Sequence, residues 1–262
     1  MRLAGELAAL AAERILPHYR VADVTYKADG SAVTEADHDA EAAIRQELAA
    51  RRPTDAVLGE EYGGDEEPVA GRQWLIDPID GTTSFALGLP LFGTLIALAI
   101  DGEVTVGVVN LPIMGELLYA GIGLGCWLRL GNEAPQQVHV ANAVGLSEAT
   151  VSSTAVHATE VQPLAGTPVY SLQRLVGRVA RYRPVGDCVQ HALVCRGRLH
   201  GAFDTVMRPW DSAALLPCIR EAGGIALGLN GQSERVAFAG SLVSACDRGL
   251  AEAMIEALRP ES

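Results

Sequence analysis

The sequence predicts a mixed fold, α+β in its first half and α/β in its second. Two helix-like segments and a run of strands come first, whereas strands and helices alternate beyond residue 150. Between the halves, residues 131–150 form a polar connection with little periodicity. We therefore place a domain boundary in this connection and expect an N-terminal domain at 1–140 and a C-terminal domain at 141–262.

The first half predicts two helices on a largely antiparallel sheet. Residues 3–16 repeat apolar side chains at helical spacing, and Thr34 and Asp37 resemble a capping box at the start of the second helix. The strand-like segments are DAVLG, RQWLIDP, FGTLIALAI, GEVTVGVVN and GELLYAGIGLGCWLRL. Asp101-Gly102 predicts a tight hairpin between the third and the fourth segment.

The second half alternates strands with helices. In order, it contains the strand ATVSST, the helices SLQRLVGRVA and VQHALVCRG, the strand LHGAFDTV and the helix SAALLPCIREAGG. Gly223 and Gly224 are expected to end the last helix, since glycine commonly follows a helix C-terminus. The pattern predicts a smaller α/β unit.

Composition indicates a globular protein and excludes one class of partner. Hydrophobic residues make up 49% and charged residues 20% of the 262 residues, and the formal net charge is -12. Such a chain lacks the basic surface that non-specific nucleic-acid binding needs. No apolar run approaches the roughly 20 residues of a membrane span. We expect a soluble cytoplasmic protein that binds a small molecule and neither nucleic acid nor membrane.

The cysteines and histidines favour no structural metal or disulfide. The five cysteines are scattered without a C-x-x-C pair, and the six histidines show no zinc-binding spacing. Reduced, mostly buried thiols are the simplest interpretation.

An acidic segment, LIDPIDGTTSF at 75–85, carries the first candidate site. Pro78 disfavours a helical conformation at Asp77 and fixes its own φ, so we expect the chain to turn sharply there. Such a turn would aim the carboxylates of Asp77 and Asp80 and the carbonyl of Ile79 towards one point. Converging hard oxygens suit Mg²⁺. Taken alone, the segment is explained equally well as an ordinary turn, because D-P-x-D-G favours turns.

The residues that follow favour anion binding. Gly81, Thr82 and Thr83 are expected to present backbone amides at the start of a helix, where a phosphate group binds readily. A metal ion and a phosphate would then lie side by side.

Three further stretches carry polar residues that have ordinary explanations when each is taken singly. Glu60 follows a short strand in GEEYGG, where acidic residues are usually solvated. Asp211 precedes a helix in RPWDSAALL, where an N-cap is the default explanation. Lys27, Thr34 and Asp37 in YKADGSAVTEAD fit turn and capping chemistry. The ordinary explanations are less plausible for all the stretches together.

Taken together, the segments GEE, WLIDPIDGTTSF and WDSAALLPCIREAGG, in this order, resemble the inositol-monophosphatase-type family of magnesium-dependent phosphatases. KADGSAVTEAD resembles the N-terminal substrate-side segment of that family. The resemblance covers nearly the whole chain. It implies a layered αβαβα sandwich of the inositol monophosphatase / fructose bisphosphatase type, with the metal site in the N-terminal domain and the C-terminal domain completing the active site. It also implies a homodimer, which is common in the family.

The resemblance assigns roles to individual residues. It implies two or three Mg²⁺ ions per active site, held by Glu60, Asp77, the carbonyl of Ile79, Asp80 and Asp211. The implied catalytic residues are Glu60, Asp77 and Thr82, because Thr82 and Glu60 would orient the attacking water. The amides of Gly81 and Thr82 would hold the phosphate.

Other positions help to complete the implied site or depart from the family pattern. Lys27, Thr34 and Asp37 would belong to the N-terminal accessory segment. Ser84 stands where asparagine is common, in a role that supports the turn. Asp204 stands where relatives usually place a glutamate that contacts the organic part of the substrate.

Within the family, the segments GLPLFGTLIALAIDG and VGDCVQHALVCRGRLHGAFD most resemble the histidinol-phosphatase branch. Asp187 and Asp204 would pair with the cationic amine or imidazolium of L-histidinol phosphate, whereas a polyol would not need two acids. Two alternatives stay open. Asp204 would then lie at a strand end facing water, and Asp187 would be a turn residue beside Gly186.

Three functions therefore compete. The first is a Mg-dependent histidinol-phosphatase that converts L-histidinol phosphate and water to L-histidinol and phosphate in histidine biosynthesis. The second is a related phosphatase for inositol 1-phosphate, fructose 1,6-bisphosphate or 3′-phosphoadenosine 5′-phosphate. The third is a catalytically silent metal- or anion-binding module, which the intact set of acidic residues disfavours.

Overall fold

Two large β-sheets alternate with layers of helices beside a small two-stranded sheet, and a computed structural model describes them for residues 1–26 and 32–259. The α-helices of this part are α1 Arg2–Ile15, α2 Glu35–Arg51, α3 Thr82–Ala86, α4 Leu172–Val176, α5 Asp187–Cys195, α6 Pro209–Ala213, α7 Leu215–Glu221 and α8 Arg248–Leu258. The strands are β1 Thr25–Tyr26, β2 Ala32–Val33, β3 Ala56–Gly59, β4 Arg72–Asp80, β5 Gly93–Ile100, β6 Glu103–Leu111, β7 Glu116–Gly121, β8 Cys126–Leu130, β9 Gln136–Gln137, β10 Thr150–Ser153, β11 Arg181–Tyr182, β12 Gly201–Asp204, β13 Ile225–Leu227 and β14 Leu242–Ala245.

The first sheet has seven strands in the order β3-β4-β5-β6-β7-β8-β9. β3 and β4 pair in parallel, and the other neighbouring pairs are antiparallel. Asp101 and Gly102 have φ values of 51° and 84° between β5 and β6. Positive φ at both central residues matches the twist of the flanking strands. The predicted antiparallel sheet and its hairpin are therefore confirmed.

Helices α1 and α2 cover one face of this sheet. Leu7 and Ile15 of α1, Ile44 of α2 and Ile96 of β5 are each 0% exposed and belong to one buried cluster. A side chain of this kind contributes about 1.5–3 kcal/mol when it is fully buried. The apolar spacing of the first helix is thus explained by its contact with the sheet.

Helices α5 and α7 lie between the two sheets. Their buried side chains, such as Cys195 and Ile219, join Leu118 of the first sheet and Leu242 of the second in one cluster. Gly107 of β6 allows the layers to approach, because a Cβ there would lie 2.0 Å from the carbonyl oxygen of Ala214.

The predicted helix SAALLPCIREAGG is divided in the structure. Helix α6 ends at Ala213, and α7 begins at Leu215. Pro217 has no N–H to donate to the carbonyl of Ala213, which interrupts the hydrogen-bond ladder of a continuous helix. The prediction of one helix is wrong here, whereas its end is confirmed by Gly223, whose φ is +87°.

The second sheet has five strands in the order β11-β10-β12-β14-β13. β10 pairs in parallel with β11 and β12, whereas β14 pairs antiparallel with β12 and β13. Leu175 of α4 and Met254 of α8 cover the outer face in a cluster with Phe203 and Val243. From α1 to α8 the layers follow the predicted αβαβα order.

The predicted domain boundary lies between β9, which ends at Gln137, and β10, which begins at Thr150. Because the middle cluster takes side chains from both halves, the division into two domains stays a prediction. The five cysteines are buried and free. Among the helices of the described ranges, none is long and apolar enough to cross a membrane.

Candidate active site

Strand β4 contains one extra residue in the segment that carries Asp77 and Asp80. Asp77 pairs with Leu95 of β5, and Asp80 pairs with Gly93. The two positions on β4 are three residues apart, whereas their partners on β5 are only two residues apart. Side chains alternate along a regular strand, and residues three apart would point to opposite faces. A bulge removes that opposition, so both carboxylates can serve one site.

Pro78 lies inside this strand rather than at a sharp turn. β4 continues to Asp80, and Thr94 Oγ1 donates a hydrogen bond to the carbonyl oxygen of Pro78 at 2.8 Å. The expected sharp turn is therefore wrong. Proline has no N–H for the ladder, which is why it is tolerated at bulges. The bulge brings Asp77 and Asp80 together in place of the turn.

Asp77 is the centre of an acidic cluster, which we define as Glu60, Asp77, Asp80 and Asp211. Asp77 is 2% exposed, and its Oδ1 is buried without a hydrogen-bond partner. Burial raises the pKa of Asp77 well above its usual range, and the charges of the other three carboxylates raise it further. None of the ion pairs between described residues involves Asp77, Asp80 or Asp211. A bound cation would stabilise the charged forms.

Backbone amides hold Asp80 and Asp211, that of Asp80 from α5 and that of Asp211 from the N-cap of its own helix. The N–H of Cys188 in α5 donates to Asp80 Oδ2, and the N–H of Arg208 donates to Asp211 Oδ2 at 2.7 Å. Burial raises the pKa of both carboxyls, that of Asp211 to about 7. Asp211 is the third residue of α6. It is therefore not the N-cap expected under the ordinary explanation of RPWDSAALL, but it does cap α6 as the N3 residue of a capping box with Arg208.

The turn after β4 leads directly into α3. Gly81 has a φ of +93°, and a Cβ on it would lie 2.9 Å from Asp187 Oδ2. Glycine suits both this left-handed backbone and the close approach. Thr82 begins the helix, and its Oγ1 lies 3.0 Å from the carbonyl oxygen of Ile79 and 3.4 Å from Asp37 Oδ1. The predicted helix start at Gly81 and Thr82 is confirmed.

Thr34 and Asp37 form the predicted capping box at the start of α2. Asp37 Oδ2 accepts hydrogen bonds from the N–H and the hydroxyl of Thr34, at 2.8 and 2.7 Å. Burial raises the pKa of Asp37, and the charge of Glu60 adds to the rise. Because Asp37 Oδ1 faces Thr82, the start of α2 contacts the candidate site. Lys27 lies outside the described residues.

Glu41 is a residue that the sequence analysis missed. It is 0% exposed and lies on α2, one turn after Asp37. Its Oε2 accepts a hydrogen bond from the N–H of Glu61 at 2.7 Å, and its Oε1 accepts one from the N–H of Tyr62 at 3.3 Å. Glu41 therefore anchors the loop that carries Glu60.

Arg45 completes this anchor. Its Nε donates to Glu41 Oε1 at 2.7 Å, and its Nη2 donates to the carbonyl oxygen of Gly63. Gly59 leaves the space that the carboxylate occupies, because a Cβ there would lie 2.1 Å from Glu41 Oε1. Two signals were available in the sequence: a Glu-Arg pair four residues apart on a helix, and a glycine immediately before Glu60.

Asp204 ends strand β12 but does not face water. It is 8% exposed, Gln190 Nε2 donates to its Oδ2 at 2.7 Å, and His191 Nε2 lies 2.8 Å from the same oxygen. The charge of Asp204 helps to raise the pKa values of Asp187 and Asp211. Asp204 thus lies within electrostatic range of the acidic cluster, and the alternative that placed it in solvent is wrong.

Asp187 is the first residue of α5 and lies against the turn at Gly81. It has a φ of +49°, and its N–H donates to Thr154 Oγ1 at 2.7 Å. Burial raises its pKa to about 7; the charge of Asp204 adds to the rise, and a hydrogen bond with the side chain of Ser84 opposes it. Asp187 therefore contacts the predicted phosphate-binding turn, whereas Asp204 is held by side chains of α5.

The acidic cluster fits a hard divalent cation. It offers carboxylate oxygens, one of which, Asp77 Oδ1, is buried and unpartnered, and Mg²⁺ prefers oxygen ligands. Among the described residues, no three or more His, Cys, Asp or Glu side chains are arranged to hold a metal by themselves. Waters and phosphate oxygens would complete the coordination of a bound Mg²⁺, which usually binds only one or two carboxylates directly.

Buried carboxylates beside the amides of a helix start are the features that a metal-dependent phosphatase needs. The sequence of residues 2–262 matches the inositol monophosphatase family, and the chain belongs to that family. Its members hydrolyse phosphate monoesters and generally depend on a metal ion, Mg²⁺. The chain is therefore a phosphatase, and the predicted family and enzyme class are confirmed.

Similar proteins carry more than one substrate name. A histidinol-phosphatase from Chlorobaculum parvum is 40% identical over 250 residues, which cover 94% of this chain and 91% of that protein. An inositol-1-monophosphatase from Mesorhizobium japonicum is 33% identical over 209 residues, or 79% of this chain and 76% of that protein.

Solved structures confirm the layered fold. An inositol monophosphatase from Zymomonas mobilis superposes with a TM-score of 0.81 at 30% identity, covering 98% of this chain and 96% of its own. The extragenic suppressor protein SuhB from Bartonella henselae superposes with a TM-score of 0.85 at 26% identity, covering 100% of this chain and 99% of its own.

Proposed function

We propose that this phosphatase hydrolyses L-histidinol phosphate to L-histidinol and phosphate, with Mg²⁺ as its cofactor, in histidine biosynthesis. The observation that carries the proposal is Asp204, a nearly buried carboxylate within electrostatic range of the acidic cluster. Such a group favours a substrate whose organic part is cationic. The sequence identity of 40% to a histidinol-phosphatase over 94% of the chain supports the same substrate.

The acidic cluster and the carbonyl of Ile79 would hold two or three Mg²⁺ ions. When bound, Mg²⁺ acts as a Lewis acid and lowers the pKa of water. Glu60 and the hydroxyl of Thr82 would orient the attacking water. Thr82 is suited to this role because its Oγ1 already lies 3.0 Å from the Ile79 carbonyl, at the edge of the cluster.

The turn after β4 would hold the phosphate. The amides of Gly81 and Thr82 belong to a helix start, where backbone N–H groups have no partner within the helix. Asp37 would keep the hydroxyl of Thr82 in place, since its Oδ1 lies 3.4 Å away. Thr34 would contribute indirectly, because its hydrogen bonds fix the orientation of Asp37. Lys27 would be a further accessory residue, a role that only the sequence resemblance supports.

Asp204 would accept a hydrogen bond from the ammonium or imidazolium of the substrate. A hydrogen bond to a charged group contributes about 1.5–3 kcal/mol, enough to separate a cationic alcohol from a neutral one. Asp187 would pair with the same cationic group from a position closer to the phosphate, because it lies against Gly81.

A parallel assay tests the substrate. Phosphate release would be measured with L-histidinol phosphate, inositol 1-phosphate, fructose 1,6-bisphosphate and 3′-phosphoadenosine 5′-phosphate, each with Mg²⁺ and with EDTA. We expect the highest kcat/KM for L-histidinol phosphate and no turnover in EDTA. Equal or faster turnover of any other ester would exclude histidinol phosphate as the preferred substrate.

The second candidate substrate is inositol 1-phosphate. The sequence identity of 33% to an inositol-1-monophosphatase over 79% of the chain favours it. Under this alternative, Asp204→Asn would weaken turnover of inositol 1-phosphate and of L-histidinol phosphate equally, because neither would depend on a cationic contact.

We further propose a cytoplasmic homodimer that binds neither nucleic acid nor membrane. The resemblance to the family supports the dimer, and the net charge of -12 disfavours nucleic acid. Sedimentation equilibrium would test the dimer, and a mass of a single chain at micromolar concentration would contradict it.

A further inference from the structure

A chain of buried side chains leads from Asp204 into the second sheet. His191 Nε2 lies 2.8 Å from Asp204 Oδ2, and His191 Nδ1 lies 2.7 Å from Ser244 Oγ. His191 and Ser244 are each 0% exposed. The three residues come from different elements, namely β12, α5 and β14, so the contact exists only in the folded chain.

The order Ser-His-Asp resembles a hydrolytic triad, but burial excludes that role. A nucleophilic serine must reach the substrate, and Ser244 is 0% exposed in the middle of β14. The outer member of the chain, Asp204, is the one that retains some exposure, at 8%. The hydrogen-bonded side chains therefore hold Asp204 in place rather than activate Ser244.

Hydrogen-bond chemistry determines which of these side chains donates to Asp204. An ionised carboxylate only accepts hydrogen bonds, so His191 Nε2 carries the proton that faces Asp204. Ser244 Oγ faces Nδ1, and a hydroxyl can donate or accept there, so the contact is compatible with this orientation. Gln190 Nε2 donates to the same Asp204 oxygen at 2.7 Å. Both donors meet Oδ2, and Oδ1 takes part in neither bond.

We propose that His191 is a positioning residue that gives this phosphatase its selectivity for a cationic substrate. It fixes the Asp204 carboxylate by Oδ2 and so leaves Oδ1 for the ammonium or imidazolium group of the substrate. A carboxylate that is already ordered loses less conformational freedom on binding. This inference rests on the role proposed above for Asp204.

Two amide substitutions of His191 form a matched pair. The terminal nitrogen of glutamine can occupy the place of Nε2 and donate to Asp204, whereas the shorter asparagine can reach only towards Ser244. The measurement is kcat and KM for L-histidinol phosphate and for inositol 1-phosphate, with Tm as the check on folding.

We expect His191→Asn to raise the KM for L-histidinol phosphate about tenfold or more, which is the effect of losing a hydrogen bond to a charged group. The KM for inositol 1-phosphate and both kcat values should change much less. His191→Gln should restore most of the lost selectivity. Equal losses for both substrates, or a glutamine variant as impaired as the asparagine variant, would show a merely structural role.

The Asp204→Asn background separates this inference from the substrate proposal. If His191 acts through Asp204, His191→Asn should not change the ratio of the two kcat/KM values any further in that background. An additive change would overturn the inference. If the wild-type enzyme prefers inositol 1-phosphate, the substrate proposal fails, and the same cycle measured on that ester still decides whether His191 acts through Asp204.

Discussion

One extra residue in β4 decides how the acidic cluster is built. The suitability of Asp77 and Asp80 for a hard cation was predictable, because carboxylates are hard oxygen ligands. The bulge was not, since it depends on how β4 pairs with Leu95 and Gly93 of β5. Pro78 indicated an irregularity but not its kind, because proline is compatible with turns and with bulges.

Gly81 offers the sharpest test of the proposed phosphate-binding turn. Gly81→Ala would place a Cβ 2.9 Å from Asp187 Oδ2 at a φ of +93°. The backbone strain costs on the order of 1–3 kcal/mol. Displacement of the turn should lower kcat/KM about 10- to 100-fold. Thermal unfolding and phosphate release would measure both effects.

Gly71→Ala is the matched control. Gly71 has a φ of +84°, but nothing lies within 4 Å of the Cβ that would be added. This variant carries the backbone cost without the steric contact, so its Tm should fall while kcat/KM stays near the wild-type value. Equal loss of activity in the two variants would contradict the role of the turn.

Helix α2 connects two parts of the site that are distant in sequence. Its first turn holds Asp37 against Thr82, and its second holds Glu41 against the loop of Glu60. The helix and its capping box were predictable from local spacing. The contact with the loop was not, because β3 and its loop pack against α2 only in the folded chain.

Glu41→Gln should disturb that loop. The change keeps the shape of the side chain but removes the charge that pairs with Arg45, and it can turn an amide NH₂ group towards the N–H of Glu61. Losing hydrogen bonds to a buried charge costs about 1–3 kcal/mol or more. We expect lower stability in urea and, because Glu60 shifts, a kcat reduced about tenfold or more.

Glu47→Gln on the same helix is the control. The Glu47 side chain is 42% exposed and pairs with Arg51 at 3.2 Å. Exposed pairs contribute about 0.2–1 kcal/mol, so stability and kcat should stay close to those of the wild type. If Glu41→Gln behaved like this control, the anchoring role of Glu41 would be lost.

We expect the acidic residues of the site to make the stability of the metal-free protein depend on pH. Burial and mutual repulsion raise the pKa values of Asp187 and Asp211 to about 7, whereas an unfolded aspartate titrates near 3.9. Between these values the folded protein binds more protons than the unfolded chain. The free energy of unfolding therefore falls as pH rises from about 4 to about 7.

We expect the Tm measured in EDTA to be about 3 °C or more lower at pH 7.5 than at pH 5.5. Mg²⁺ should oppose this loss, and its stabilising effect should grow with pH, because it binds the charged carboxylates. Differential scanning fluorimetry with and without Mg²⁺ would measure both trends. A Tm in EDTA that rises over this range would contradict the prediction.

Asp211→Asn tests the cause of the pH response. Removing this carboxyl should flatten the dependence of Tm on pH in EDTA, because one raised pKa disappears and its repulsion of Asp77 goes with it. Asp39→Asn, on the exposed side of α2, should leave the dependence unchanged. An identical slope in both variants would assign the response to groups outside the site.

The sequence by itself determined the features that depend on local chemistry. Helical spacing, the capping box of Thr34 and Asp37, the hairpin at Asp101-Gly102 and the glycine-led helix start follow from neighbouring residues. The family also followed from short motifs. The helical spacing, the capping box, the hairpin and the helix start all depend on interactions between residues close together along the chain.

The tertiary structure alone decided which groups meet. It placed a bulge at Pro78, divided the last predicted helix at Ala214, put Glu41 under the loop of Glu60, and set Asp204 against His191 rather than in water. Each of these results depends on strands or helices that are far apart in sequence. Their packing fixes distances and burial, and neither quantity is encoded in the spacing of a single segment.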